Sequence, residues 1–79
     1  MDSLISSFQE NERDEIRVQL KEFKKKEWLD IRVYTSLKPG AEKAATGRGF
    51  SVSFDHFQDF KQAILAAENF LKQKHQSHE

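Results

Sequence analysis

The chain has 79 residues, with 13 Lys and Arg balanced by 13 Asp and Glu, three His and no Cys. That length makes one small domain whose core is only marginally able to stabilise itself, and without cysteine neither a disulfide framework nor a thiolate metal site can staple it. No apolar run approaches the roughly 20 residues of a membrane span and there is no signal-peptide core, so a cytoplasmic protein with no membrane contact is expected.

The net charge of zero conceals a segregation. Residues 1–16 carry one base and five acids, residues 17–48 nine bases and four acids, and residues 49–79 three bases and four acids. The middle third is a basic patch, and such asymmetry bears on partners rather than on fold.

Residues 1–14 form an acidic N-terminal segment whose structure the pattern leaves open. Leu4, Ile5 and Phe8 are spaced for a short helix, yet the same stretch reads equally as an edge strand, and QENERDE is a solvated connection. Residues 15–24 alternate. Ile16, Val18 and Leu20 share one face while Arg17, Gln19, Lys21 and Phe23 share the other, the signature of a half-buried strand. Lys24, Lys25 and Lys26 then form the tip of an antiparallel hairpin that lacks the usual Asn-Gly or Asp-Gly turn. The triple lysine reads equally as a solubilising edge loop and as a phosphate contact.

Residues 28–54 organise the rest. Leu29, Ile31 and Val33 point one way and Trp28, Asp30, Arg32 and Tyr34 the other, because successive strand side chains face opposite sides. An indole, a guanidinium and a phenol on the wet side of a strand ask for a flat partner. Single-stranded nucleic acid is one, since every base offers a π-face and every linkage a negative charge. Each group also has a structural reading: the rings pack on a neighbouring loop or a dimer mate, and Arg32 pairs with Asp30 or Glu22 as a surface ion pair of little worth.

Residues 36–40 form a turn in which Pro39 fixes φ and Gly40 tolerates positive φ. Residues 41–46 (AEKAAT) are a short linker. In Gly47-Arg48-Gly49 the glycines let backbone approach a ligand or strand closely, but no strand–GxGxxG–helix context makes a dinucleotide site. Phe50, Val52 and Phe54 alternate with Ser51 and Ser53 as a third strand.

Asp55 is expected to N-cap the one clear helix, with Gln58 three residues on as in a capping box. Phe57, Phe60, Ile64, Ala67 and Leu71 form its apolar stripe, which is expected to cover the sheet. Leu65 and Phe70 widen that stripe and imply a second buried surface, hence a partner subunit. The fold class is α+β: three or four antiparallel strands followed by one C-terminal helix over residues 15–73, with residues 74–79 a frayed tail. His56, His75 and His78 are scattered or terminal, so no metal or other cofactor is expected. No Ser or Thr has a His and acid partner at a known spacing, and one sheet with one helix offers little concavity, so no enzyme is expected.

The segments DIRVYTSLKPG and GRGFSVSFDHF together resemble the C-terminal domain of the eukaryotic transcriptional coactivator positive cofactor 4 and its bacterial relatives. That family shows an Asp-Ile-Arg strand, a Lys-Pro-Gly turn, a Gly-base-Gly strand and a helix opening with an aromatic; the match covers residues 15–71. The resemblance implies a curved antiparallel sheet with one C-terminal helix, a homodimer formed through helix and sheet edge, and binding of single-stranded or unwound DNA with little sequence preference. It implies a setting in transcription regulation or DNA maintenance, nucleoid-associated in a bacterium. Phe23 and Lys24 match the family's aromatic-basic pair, Lys26 its following base, Arg32 the arginine of the second strand, and Arg48 the base before the final glycine. Thr35 departs from the pattern where some members carry tryptophan, and AEKAAT separates two motifs that relatives run together.

Residues and resemblance meet on one surface. Phe23, Trp28, Arg32 and Tyr34 are expected to stack on or flank bases, with Lys21, Lys24, Lys25, Lys26, Lys38 and Arg48 along the phosphates. Two other readings stay open: a protein-interaction module for an acidic partner, and RNA binding, since stacking and phosphate contacts do not sense the 2′-hydroxyl.

Overall fold

The two alternating runs pair with each other. In the computed structural model, which describes residues 2–76, β2 (Asp14–Phe23) and β3 (Lys26–Thr35) run antiparallel in unbroken register, from Asp14 opposite Thr35 to Phe23 opposite Lys26. That register puts Ile16, Val18 and Leu20 beside Val33, Ile31 and Leu29, so the apolar sets of both strands fall on one face. The hairpin closes through Lys24 and Lys25, both at positive φ (52° and 63°). Positive φ at both central residues is the signature of the two-residue type I′ turn, whose twist matches that of the strands.

Two further strands complete an open antiparallel sheet in the order β1-β2-β3-β4. β1 (Ser3–Gln9) lies outside β2, so the N-terminal segment is an edge strand, with a bulge at Ile5 between Leu4 and Ser6. An Asx turn joins them: the Asn11 side-chain oxygen accepts from the backbone N–H groups of Arg13 and Asp14, both at 2.9 Å. On the other side, β4 (Ala44–Ser53) pairs with β3 and begins inside the stretch read as a linker. Its pairing is irregular: Gly49 stands opposite Arg32 and Ala45 opposite Tyr34, so Thr46, Gly47 and Arg48 together face Val33. The Thr46 hydroxyl donates to the Val33 carbonyl at 2.8 Å and accepts the Arg48 N–H at 3.1 Å, which holds this wide bulge in shape.

After Ser53 the chain makes a 3₁₀ turn (Phe54–His56) and enters α1 (Phe57–Gln76). Asp55 lies inside the 3₁₀ turn, so the expected N-cap is not formed; Ser53 flanks the turn without a side-chain cap. The helix runs through Gln76, past its expected end, and His78 with the rest of the expected tail lies outside the described residues.

The helix does not cover the sheet within one chain, which corrects that expectation. Its first turns touch β4, with the Phe60 ring edge-on to Phe50 at 5.6 Å, and the rest projects outward. Ile64 and Leu71 are each 53% exposed and Phe70 70%. Val33 is the one buried apolar residue among those described, and Phe8 and Phe50 on the sheet and Phe54 in the 3₁₀ turn stand open as well. No helix of the described residues is long and apolar enough to cross a membrane.

Candidate nucleic-acid interface

The face opposite the helix is built in rows across the strands. Trp28 stands between Lys21 and Ser53, Asp30 between Gln19 and Ser51, Arg32 between Arg17 and Gly49, and Tyr34 between Glu15 and Ala45. Two arginines directly opposite each other repel. Each is drawn away by its own partners, Arg17 toward Glu15 and Tyr34, Arg32 toward Asp30.

Asp30 is the hub of this face, and it is only 2% exposed. Arg32 grips it with two N–H groups, Nε to Oδ2 at 3.2 Å and Nη2 to Oδ1 at 3.0 Å, while the Ser51 hydroxyl donates to Oδ1 at 2.7 Å. Lys21 Nζ lies 3.8 Å from Oδ2. Burial pushes the Asp30 carboxyl up, but the hydrogen bonds from Arg32 and Ser51, with the charges of Lys21 and Arg32, outweigh it and hold the group below the usual carboxylate range. The same pairing raises Arg32 further. Arg32 also donates from Nη1 to the Thr46 carbonyl at 3.2 Å. This pair is therefore not the loose surface bridge weighed from sequence.

Tyr34 is held from two sides. The Arg17 guanidinium carbon sits 4.3 Å from its ring centroid, a cation–π distance, and Gln19 Nε2 donates to its oxygen at 2.7 Å. Arg17 is steadied by Glu15 at 2.6 Å. One face of the phenol is thus occupied, and a ligand arriving from that side meets a guanidinium. Phe23 is the opposite case: it lies on the same face at the hairpin tip, 64% exposed, with Lys24 Nζ 5.4 Å from the ring centroid. Trp28 is half-buried nearby and lines a hollow with Lys25, Lys26, Ser53 and Asp55.

The structure thus brings Lys21, Phe23, Lys24, Lys25, Lys26, Trp28, Arg32 and Tyr34 to one face and its tip. Two expected residues lie elsewhere. Lys38 sits in the β3–β4 loop, at the opposite end of the sheet from the tip. Arg48 is turned by the bulge to the helix side, where its Nη1 lies 3.7 Å from Asp14 Oδ2 and it shares a hollow with Ile16, Val33 and Phe50. At about 3.4 Å per strand residue, it stands roughly 25 Å along the sheet from the lysine tip. Lys43 is engaged at the same end, donating to Gln9 Oε1 at 2.7 Å.

Among solved structures, the chain is similar to a PC4 homologue from Burkholderia pseudomallei in two crystal forms. In the tetragonal form the TM-score is 0.74 at 19% identity, covering 86% of this chain and 98% of that one; in the orthorhombic form it is 0.72 at 18%, covering 84% and 88%. It is also similar to the bacteriophage T5 homologue of the eukaryotic transcription coactivator PC4, implicated in recombination-dependent DNA replication. There the TM-score is 0.63 at 25% identity, covering 92% and 80%. The fold is that of the PC4 homologues. No family model and no curated protein matches the sequence.

On this PC4-like scaffold, sequence reasoning missed two members of the face. Arg17 was placed on the correct side of β2 but given no role; its signal was position, two residues from Glu15 and opposite Arg32. Asp30 was weighed only as a partner for Arg32. Its place in the middle of a central strand, among Lys21, Arg32 and Ser51, is what buries it. Among the described residues, no group of three or more His, Asp or Glu stands close enough to hold a metal ion.

Proposed function

We propose that two copies of this chain form a cytoplasmic single-stranded-DNA-binding protein with little sequence preference, acting in transcription regulation or DNA maintenance. The observation that carries the reading is the open Phe23 ring at a three-lysine tip, continuous with Trp28, Lys21 and Arg32 on one face. Base–aromatic stacking contributes about 1–3 kcal/mol per base, and each neutralised phosphate adds a salt-sensitive share. A paired base cannot present its face to Phe23, so single strands are preferred over duplex. The phage neighbour, implicated in recombination-dependent DNA replication, supports the maintenance setting.

The second copy is argued from area. A compact monomer of this 9.3 kDa mass exposes about 5,000 Å², whereas this chain exposes 6681 Å². Its radius of gyration is 15.6 Å, against about 11.6 Å for a compact domain of this length. Covering the excess of about 1,700 Å² on each of two copies buries about 3,400 Å², within the range of obligate homodimers. The open apolar helix stripe and the open apolar sheet face supply the contacts.

The test is an anisotropy titration of labelled oligo-dT against blunt duplex of equal length, over a salt series. Tighter single-strand binding that weakens with salt and with Phe23→Ala is expected; equal or tighter duplex binding refutes it. If Phe23→Ala and Arg32→Ala both leave single-strand affinity unchanged, the face serves an acidic protein partner instead. Oligo-U in parallel measures how far RNA shares the site.

A further inference from the structure

Charge counting makes Asp30 a liability on a surface that binds a polyanion. It carries a full negative charge among the very groups expected to meet phosphates, and removing it would raise the local charge by one. The geometry argues the other way. An arginine has five N–H donors in a rigid fork. Among the described residues, Asp30 takes the Nε donor and one on Nη2, and the Thr46 carbonyl takes one on Nη1. One N–H remains on each terminal nitrogen of a guanidinium whose torsions are already fixed. Ser51 locks the carboxylate itself, and Lys21 lies at its other oxygen.

We infer that Asp30 is a positioning residue: sunk in the sheet, it clamps Arg32 so that the two remaining donors of the guanidinium meet one phosphate without further ordering. An unheld arginine surrenders its rotamer freedom on binding, whereas a clamped one has surrendered it on folding. Asp30, Arg32 and Lys21 together carry one net positive charge, so the seat still favours an anion. Gly49 belongs to the same device. It stands opposite Arg32, where a Cβ would lie 2.8 Å from the Arg32 Cα and 2.4 Å from the Ile31 carbonyl oxygen. Its bare backbone lets β4 close on β3 and bring Ser51 to Asp30.

This inference rests on the single-strand reading above, and one set of titrations separates the two. Asp30→Asn keeps the side-chain shape and raises the charge of the face by one. The expected result is at least fivefold weaker oligo-dT binding, with a log K against log salt slope shallower by about 0.7, the share of one lost single-strand phosphate contact. In an Arg32→Ala background the same change is expected to cause no loss, because the residue acts through Arg32. Unchanged or tighter binding by Asp30→Asn overturns the inference alone, and so does an equal loss in both backgrounds, which marks a merely structural role. Failure of the wild-type protein to bind oligo-dT overturns both readings. If Asp30→Asn does not fold, Ser51→Ala frees the carboxylate without changing charge: a two- to threefold loss, absent in the Arg32→Ala background, is expected, and no loss overturns the inference.

Discussion

In the proposed dimer, truncating the open helix stripe should separate the two copies. Ile64 and Leu71 each leave 53% of their surface uncovered in the single chain. Burying a whole Ile or Leu side chain contributes about 1.5–3 kcal/mol, so the uncovered half of each amounts to roughly 1 kcal/mol. A symmetric dimer holds each residue twice. Ile64→Ala with Leu71→Ala therefore removes about 4 kcal/mol of association, nearly a thousandfold in the dissociation constant. Cavities left at the truncated sites add to this. Alanine is a better helix former than isoleucine, so α1 itself is not weakened by propensity. Sedimentation over a concentration series is the assay, and the wild-type protein is expected as a dimer throughout the micromolar range with the variant shifted to monomer. The variant's thermal midpoint should also rise with protein concentration. A wild-type chain that sediments as a folded monomer refutes the reasoning, as does a variant that dimerises within tenfold of wild type.

Replacing Lys24-Lys25 by Asn-Gly should stabilise the hairpin by about 1–2 kcal/mol, since both lysines sit in a left-handed region that Asn and Gly enter more cheaply. The same change should flatten the oligo-dT salt slope by about 1.4, two contacts' worth; a lower thermal midpoint would count against the turn assignment. Gly49→Ala should cost about 3 kcal/mol or more, because φ is +152° and the new methyl meets backbone atoms at 2.4 and 2.8 Å that no rotamer change can move. Hydrogen exchange along β4 would show the damage, and intact protection there would refute it. Asp30 predicts acid sensitivity: its folded-state value is depressed, so its stabilisation is complete above the unfolded carboxyl value of about 3.9 and is lost as pH falls below it. Asp14, lowered chiefly by hydrogen bonds from Thr35 and Asn11, and Glu15, lowered chiefly by Arg17, act in the same direction. Denaturant midpoints between pH 2 and 6 should fall less steeply in Asp30→Asn than in wild type; parallel curves would refute the assignment.

The central hairpin and the face it presents were legible because β2 and β3 keep a strict two-residue period with no irregularity in their pairing. β1 was ambiguous for a physical reason: the bulge at Ile5 breaks the period, leaving Leu4, Ile5 and Phe8 at helix-like spacing. The start of β4 was hidden because Ala44, Ala45 and Thr46 carry no alternating apolar signal; pairing with Thr35 and Tyr34 holds the two alanines, and the Val33 carbonyl holds Thr46. Arg48 was placed by motif, and motif cannot reveal a bulge that turns a side chain to the other face. The helix was legible as an amphipathic element, but its period does not say which surface the stripe meets, and within one chain only the first turns reach β4. Asp30 was visible as a residue and invisible as a hub, since burial in the middle of a sheet follows from the strands on either side of it.

The strand order has a kinetic consequence. Every strand pairs with its neighbour in sequence, so each loop that must close is short and no pairing waits for a distant segment. Such meanders form early, on the timescale of successive hairpins. In the proposed dimer the meeting of two chains comes last and is a second-order step, so the slow phase of refolding should quicken in proportion to protein concentration.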